Sequence, residues 1–260
     1  MILVDAVHAG ALLLELRETG RTVPELPDGL RPASLDEAYA IQDELHRQGG
    51  WPVGALKVGC TSELAQKALA IDSPIAGIVP KHRVLSSGTR FAGDQFHHHP
   101  LLESEFALRV GTDIAADADP ASIVGRDLVD AVAPAIELVG TRFDAPMGGS
   151  GFSKIADNSA AAAVVLGSPA SSLPDDLAAI GVTLRCGGEV LAQGNGAAVL
   201  GDPYRSFAWS LRHELSRGRS VPAGTWVITG TCTGLVPCPP GAAVTAAFDG
   251  LGEVEVTVDQ

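Results

Sequence analysis

The chain has 260 residues, 46% hydrophobic and 19% charged, which suits a large globular unit with a sizeable core and excludes a disordered chain. Its 18 Lys and Arg against 31 Asp and Glu leave a formal net charge of −13, which repels nucleic acid and anionic membrane surfaces and obliges any anionic substrate to find a local positive centre. No apolar stretch approaches the roughly 20 residues that span a bilayer, and the start MILVDAVHAG lacks a basic region ahead of an apolar core, so the expectation is a soluble, cytoplasmic protein.

Apolar residues recur at helical spacing over 4–18, and again from the capping-box pattern Ser34-Leu-Asp-Glu37 to the Gly49-Gly50 stop. Residues 1–50 therefore read as an N-terminal helical segment. From Trp51 the texture changes to short runs such as ALKVG, SPIAGIV, ESEFALRV, PAIELVG, AAAVVLG, GVTLRC and EVLAQG, punctuated by Gly, Pro and Asp. Residues 51–260 read as a β-rich domain that carries the candidate chemistry, the two forming one structural unit. Cys186-Gly-Gly-Glu189 and Asp249-Gly-Leu-Gly252 look like hairpin turns, and a late helix is expected from Pro203 to about Arg217. Met147-Gly-Gly-Ser-Gly151 reads as a mobile loop or a surface linker. Helices first and strands after predict an α+β fold with a mainly antiparallel or mixed sheet system. No Walker-type loop and no G-x-G-x-x-G at a strand-to-helix turn is present.

The four cysteines, Cys60, Cys186, Cys232 and Cys238, show no C-x-x-C spacing and read as reduced structural thiols, with Cys232 of interest for its Gly/Thr-rich surroundings. The informative stretch is LLESEFALRV, residues 101–110. On a strand, Leu102, Ser104, Phe106, Leu108 and Val110 line one face, while Glu103 and Glu105 point together from the other, their Cα atoms roughly 6.5 Å apart. Like charges that close repel unless a cation lies between them. The same alternation also fits the solvated face of an edge strand. Glu137, between Ile136 and Leu138, is a possible third carboxylate, and three such oxygen donors suit Mg²⁺ or Mn²⁺ better than Zn²⁺. Lys57 in ALKVGCTS is either an acid/base with a pKa lowered by burial, a cationic contact for a carboxylate, or an exposed strand lysine. His97-His98-His99 cannot all reach one ion from a strand, and they read as solvated loop or edge residues.

Six stretches, KVGCTS (57–62), ESEF (103–106), AIELVGTRF (135–143), ADNSAAAAVVLG (156–167), GNGAAVLGDP (194–203) and VITGTCTGL (227–235), together with AYAIQ (38–42), resemble in order the 2-keto-4-pentenoate hydratase branch of the fumarylacetoacetate hydrolase superfamily. The resemblance covers nearly the whole chain. It implies a rolled, mixed β-sandwich with an N-terminal helical segment, a divalent metal on Glu103, Glu105 and Glu137, Lys57 near the substrate, and a homo-oligomer. Hydratases of this branch tend to carry an aspartate where this chain has Ile75, whereas the similar 4-oxalocrotonate decarboxylases have an apolar residue there. Many relatives place a serine at the position of Ala160, so Ser159 would be a shifted substitute, turned to the other face if it lies on a strand. Thr231 and Thr233 are expected to donate to a substrate carboxylate. The expected activity is a metal-dependent lyase of a small 2-oxo or 2-hydroxydienoic acid, a hydratase first. The alternatives are a decarboxylase of a vinylogous 2-oxo dicarboxylate, an acylpyruvate-type C–C hydrolase or tautomerase, and a silent metal-and-acid binding module.

Overall fold

A computed structural model describes residues 4–260. Helix α1 (Ala6–Thr19) is capped by the Asp5 carboxylate, which accepts from the His8 N–H, and ends at Gly20 in the left-handed conformation. Helix α2 (Leu35–Gly49) starts as the sequence predicts: Ser34 Oγ accepts from the Glu37 N–H at 3.2 Å, and the Glu37 carboxylate accepts from the Ala33 N–H at 2.7 Å. The two helices cross closely because Gly10 has no side chain; a Cβ there would lie 2.8 Å from the Leu45 nitrogen.

The strands are β1 (Val53–Gly59), β2 (Ile75–Pro80), β3 (Val84–Ser86), β4 (Thr89–Phe91), β5 (Leu101–Val110), β6 (Val129–Val139), β7 (Ala161–Leu166), β8 (Gly181–Cys186), β9 (Glu189–Asn195), β10 (Trp226–Thr231), β11 (Val236–Pro237), β12 (Ala243–Phe248) and β13 (Gly252–Val258). Three further helices interrupt them: α3 (Glu63–Leu69), α4 (Gly151–Ala156) and α5 (Pro203–Ser216). One sheet runs β2-β1-β10-β5-β6-β7-β3, with β11 also paired to β5; the other runs β4-β13-β12-β8-β9. Most pairs are antiparallel, but β1 with β10, β3 with β7 and β4 with β13 are parallel. This is the mixed β-sandwich of an α+β fold. Both expected hairpin turns form, joining β8 to β9 at Cys186 and Glu189 and β12 to β13 at Phe248 and Gly252.

The two faces of the large sheet differ in residue size, and that difference positions the site. On the face turned to the smaller sheet, Leu102, Phe106 and Leu108 of β5 and Val132 and Ile136 of β6 join Val182, Val244 and Phe248, with Phe106 edge-on to Phe248 at 5.0 Å. On the other face, Ala55, Ala107, Ala133, Ala135 and Ala161 form a floor of small side chains with Val79, Val164 and Ile228. Small residues let the sheet curl over this face. The roll closes through Asn158, whose side-chain amide accepts from the Ile78 N–H at 2.9 Å and donates to the Ile78 carbonyl at 2.7 Å, acting as a strand partner for β2. Helices α1, α2 and α4 cover the open end through a second core containing Leu13, Ile41, Leu45, Ile75, Phe143 and Ile155.

Candidate metal centre and active site

Glu103 on β5 and Glu137 on β6 are direct cross-strand partners, and Glu105, two residues further along the same face, lies opposite Thr231 of β10. One carboxylate oxygen of each lies within 4.8 Å of the other two. Glu105 and Glu137 are 1% and 0% exposed, while Glu103 stands half-buried at the mouth. This excludes a solvated edge-strand face for the pair. Glu105 Oε1 and both carboxylate oxygens of Glu137 are buried with no aligned hydrogen-bond donor, an arrangement that costs several kcal/mol unless a cation or proton compensates it. Three converging hard oxygen donors without N or S partners fit Mg²⁺ or Mn²⁺.

Burial raises the pKa of all three carboxyls. Glu103 is pushed up to about 7, and Glu105 well above the ordinary carboxylate value by burial and by the charges of Glu137 and Glu103. Glu137 is raised by burial as well, with the charge and hydrogen bond of Lys57 opposing the rise. One backbone donor also holds the cluster: the Gly230 N–H reaches Glu105 Oε2 at 2.6 Å where the β10 register shifts between Ile228 and Thr231. Gly230 has φ +110°, and a Cβ there would fall 2.4 Å from Thr61 Oγ1, so this position requires glycine.

Lys57, on β1, is 3% exposed, with Nζ 3.1 Å from Glu137 Oε1 and donating to the Ser159 carbonyl at 3.0 Å. Burial alone lowers an ammonium's pKa, but here Glu137, Glu103 and Glu105 together outweigh it, and the pKa lies above the ordinary lysine value. The structure thus reverses the lowered pKa expected from burial. Lys57 is held as a cation.

The segment before β7 is not a strand at its start. Asn158, Ser159 and Ala160 take left-handed φ angles of 58°, 51° and 62°, costing about 1 kcal/mol each for residues with a Cβ. Asn158 anchors the turn as described, with His46 Nε2 2.9 Å from its Oδ1, and Ser159 Oγ donates to the Ala76 carbonyl at 2.6 Å. Burial draws the His46 pKa down to about 4, so the ring is neutral and Nε2 carries the donated hydrogen. The turn aims the Ser159 carbonyl at Lys57, and the one-residue strand shift expected for Ser159 therefore does not apply.

A cavity of about 200 Å³ opens beside these groups, lined by Lys57, Glu103, Ser159, Ile75, Cys60 and Lys154 and walled by apolar residues of α3 and by Met147 and Leu235. Ile75 is 4% exposed and forms part of the wall. Thr231 and Thr233 are not among the lining residues: Thr231 Oγ1 donates to the Gly234 carbonyl and accepts from the Thr233 N–H, while Thr233 Oγ1 accepts from the Ser104 N–H. They shape the loop that carries Leu235. Residues 147–150 form a loop that ends in a helix cap: Ser150 Oγ accepts from the Ser153 N–H, and the Ser150 N–H donates to Glu25. That cap starts α4 and brings in Lys154, which the sequence reading missed. Its ammonium donates to the Gly149 carbonyl at 2.9 Å, and burial lowers its pKa. Its only sequence signal is a lone lysine just before the ADNSA stretch.

The remaining candidates are structural. Cys232 is buried, and burial raises its thiol well above the ordinary value, so it is not a thiolate nucleophile. His97 and His98 are half-buried, not solvated, with Nε2 against the Leu16 and Phe143 carbonyls. None of the three histidines belongs to the carboxylate cluster's ligand set.

A rolled mixed sandwich with three carboxylates and a lysine on its inner face defines a class of metal-site folds, and the sequence places the chain within it. Residues 56–259 match the fumarylacetoacetate (FAA) hydrolase C-terminal family, to which this chain belongs. The chain is 34% identical over 257 residues to a 2-keto-4-pentenoate hydratase of Burkholderia vietnamiensis (strain G4 / LMG 22486), covering 95% of each. It is 29% identical over 259 residues to a 4-oxalocrotonate decarboxylase of Pseudomonas putida, covering 97% of this chain and 95% of the other. Among solved structures, 4-oxalocrotonate decarboxylase from Pseudomonas putida G7, complexed with magnesium and adipate, superposes with a TM-score of 0.88 at 25% identity, covering 98% of this chain and 97% of that one.

Proposed function

We propose that this protein is a divalent-metal-dependent lyase acting on a small 2-oxo or 2-hydroxydienoic acid, with hydration as its main reaction. The observation that carries this is the convergence of Glu103, Glu105 and Glu137, with buried oxygens of Glu105 and Glu137 that no aligned donor meets, beside the Lys57 ammonium and an apolar-walled cavity. These three glutamates would hold Mg²⁺ or Mn²⁺, and the bound ion would supply Lewis acidity to charge developing on the C2 oxygen of a chelating 2-oxo acid. Lys57 is tethered by Glu137 and Ser159 and carries a proton at Nζ on the cavity wall. In hydration of a 2-hydroxydienoate, protonation at C5 gives an α,β-unsaturated 2-oxo acid, to which water adds at C4; Lys57 is the residue placed to hold and move these protons. The apolar walls keep bulk water out and strengthen each charge contact.

A decarboxylase reading is the alternative, and two cavity residues favour it. Ile75 puts an apolar side chain where hydratases of this branch tend to have an acid, and Lys154 offers a second cation that could meet a remote carboxylate. Homo-oligomeric assembly rests on the family likeness, and sedimentation at several concentrations tests it. Cytoplasmic residence is supported by four unpaired cysteines, which suit a reducing compartment.

The deciding experiment is an ultraviolet assay run with Mg²⁺ and with EDTA. It offers 2-hydroxypenta-2,4-dienoate in one cuvette and 2-oxohex-3-enedioate in another, with CO2 trapped. Metal-dependent loss of the dienoate band without CO2 establishes the hydratase; CO2 from the dicarboxylate establishes the alternative. Turnover that persists in EDTA refutes both.

A further inference from the structure

A second cavity of about 240 Å³ shares Val139 with the first and continues along the chain past Gly140 to Arg142. Its walls bring together three guanidiniums from distant parts of the sequence: Arg17 on α1, Arg83 just after β2 and Arg142 just after β6. Beneath them lies Asp157, which is 0% exposed. Arg142 Nε sits 2.9 and 2.8 Å from the two Asp157 carboxylate oxygens, and Arg17 Nη2 lies 2.9 Å from Oδ1. One buried carboxylate therefore already serves two guanidiniums. Arg83 has no carboxylate partner among the described residues; it donates to the Gln95 carbonyl at 2.9 Å and stacks on Phe96. Arg17 Nε is buried without an acceptor. Glu18 is the one acid among the lining residues, and it is exposed and forms no ion pair among the described residues.

Guanidiniums repel one another, and here burial and the charge of Arg142 lower the pKa of both Arg17, to about 9, and Arg83. A chain with a net charge of −13 has abundant carboxylates with which to neutralise such a cluster, yet it leaves Arg83 and part of Arg17 facing a cleft. Planar guanidinium forks with unused N–H groups are suited to doubly charged oxyanions, which they bind by paired, charge-assisted hydrogen bonds.

We propose that the cleft between Arg17, Arg83 and Arg142 is a binding site for a small doubly charged oxyanion, either a phosphate or a dicarboxylate. The site is separate from the glutamate cluster, and the proposal does not rest on the catalytic reading.

The test is isothermal titration of the Mg²⁺-loaded protein with inorganic phosphate and, separately, with succinate, in chloride buffer. Saturable binding of one anion per chain is expected. It should weaken about tenfold or more in Arg83→Met, the loss of one charge-assisted contact. It should be only partly restored in Arg83→Lys, which keeps the charge but not the paired donors. Arg83 is half-buried and bonds only one carbonyl, so its replacement spares the Asp157 network; circular dichroism verifies the fold. A response to phosphate alone, to succinate alone or to both identifies the anion and supports the site. No binding of either up to about 10 mM, or binding that is the same in Arg83→Met, overturns it.

Discussion

Replacing Lys57 with Met separates its electrostatic role from its chemical one. The substitution keeps the side-chain length but takes away the cation 3.1 Å from Glu137 Oε1 and the donor 3.0 Å from the Ser159 carbonyl. Breaking a buried pair costs about 3–5 kcal/mol. The carboxylate cluster can limit that cost by taking up a proton, at about 1.4 kcal/mol per pH unit. For a carboxyl whose folded pKa is raised, the folded state binds the extra proton. Stability is full below the unfolded value of about 4.5 and is lost as pH rises through the folded pKa, which is about 7 for Glu103. Lys57 compensates the charges that appear across that window. In EDTA the variant should therefore lose about 3 kcal/mol near pH 8 and about 1 kcal/mol or less near pH 5.5. Mg²⁺ should shrink the loss near pH 8, since the ion would supply the missing positive charge. The measurement is urea unfolding at a single protein concentration, with and without Mg²⁺, at both pH values. An equal loss under all four conditions would refute the charge-compensation argument and leave Lys57 as a packing residue. Turnover should fall by about 10²–10⁴ even with saturating Mg²⁺, the usual range for a lost proton donor.

Glu105→Gln should weaken Mg²⁺ binding about 100-fold or more and abolish metal-dependent turnover with the far-ultraviolet spectrum intact; calorimetry showing unchanged affinity would remove the three-glutamate site. Because burial pushes the Glu103 carboxyl up to about 7 and holds Glu105 well above the ordinary carboxylate value in the metal-free protein, Mg²⁺ must compete with protons for the site. Apparent affinity should then drop about tenfold for each pH unit below 7 and per proton released, which titrations in buffers of different ionisation enthalpy can count. Gly230→Ala forces a Cβ to 2.4 Å from Thr61 Oγ1 at φ +110°, so thermal unfolding should show about 1–3 kcal/mol of destabilisation with weakened metal binding; a neutral result would mean the β10 bulge is plastic. Lys154→Met should raise the KM for a dicarboxylate about tenfold and leave a monocarboxylate unaffected; equal effects on both would show that Lys154 does not read the remote end.

The carboxylate site was legible because strand alternation is a local rule. Glu103 and Glu105 stand two apart on β5, and the buried partners Leu102, Ser104, Phe106 and Leu108 all face the other way. The caps of α2 and the Pro203 start of α5 were equally local. What the chain order hid was whatever depends on long-range closure. The direction of the Lys57 shift depends on Glu137, eighty residues away in sequence, and no pattern around ALKVG shows that the two meet. The strained turn at Asn158–Ala160 looks like the start of an alanine-rich strand, because its left-handed angles are imposed by Ile78, Ala76 and His46 from other elements. Met147-Gly-Gly-Ser-Gly151 carries loop composition, and only the Ser150 cap and its bond to Glu25 fix it as the entry to α4. The arginine cleft left no local signal at all, since Arg17, Arg83 and Arg142 come from three separate segments.

The alanine floor beneath the glutamates also divides the labour of diversification. Ala107, Ala133, Ala135 and Ala161 are completely or almost completely enclosed, so a larger side chain at any of them would force the strands apart, and at Ala107 and Ala135 the carboxylates of Glu105 and Glu137 stand only two residues away. Changes in what the cavity admits must therefore arise elsewhere, on α3, on α4 and at the start of β2, where Ala68, Leu69, Lys154 and Ile75 stand over the charged centre without holding it. Anyone redesigning this scaffold for a different acid would leave the sheet untouched and edit its lid.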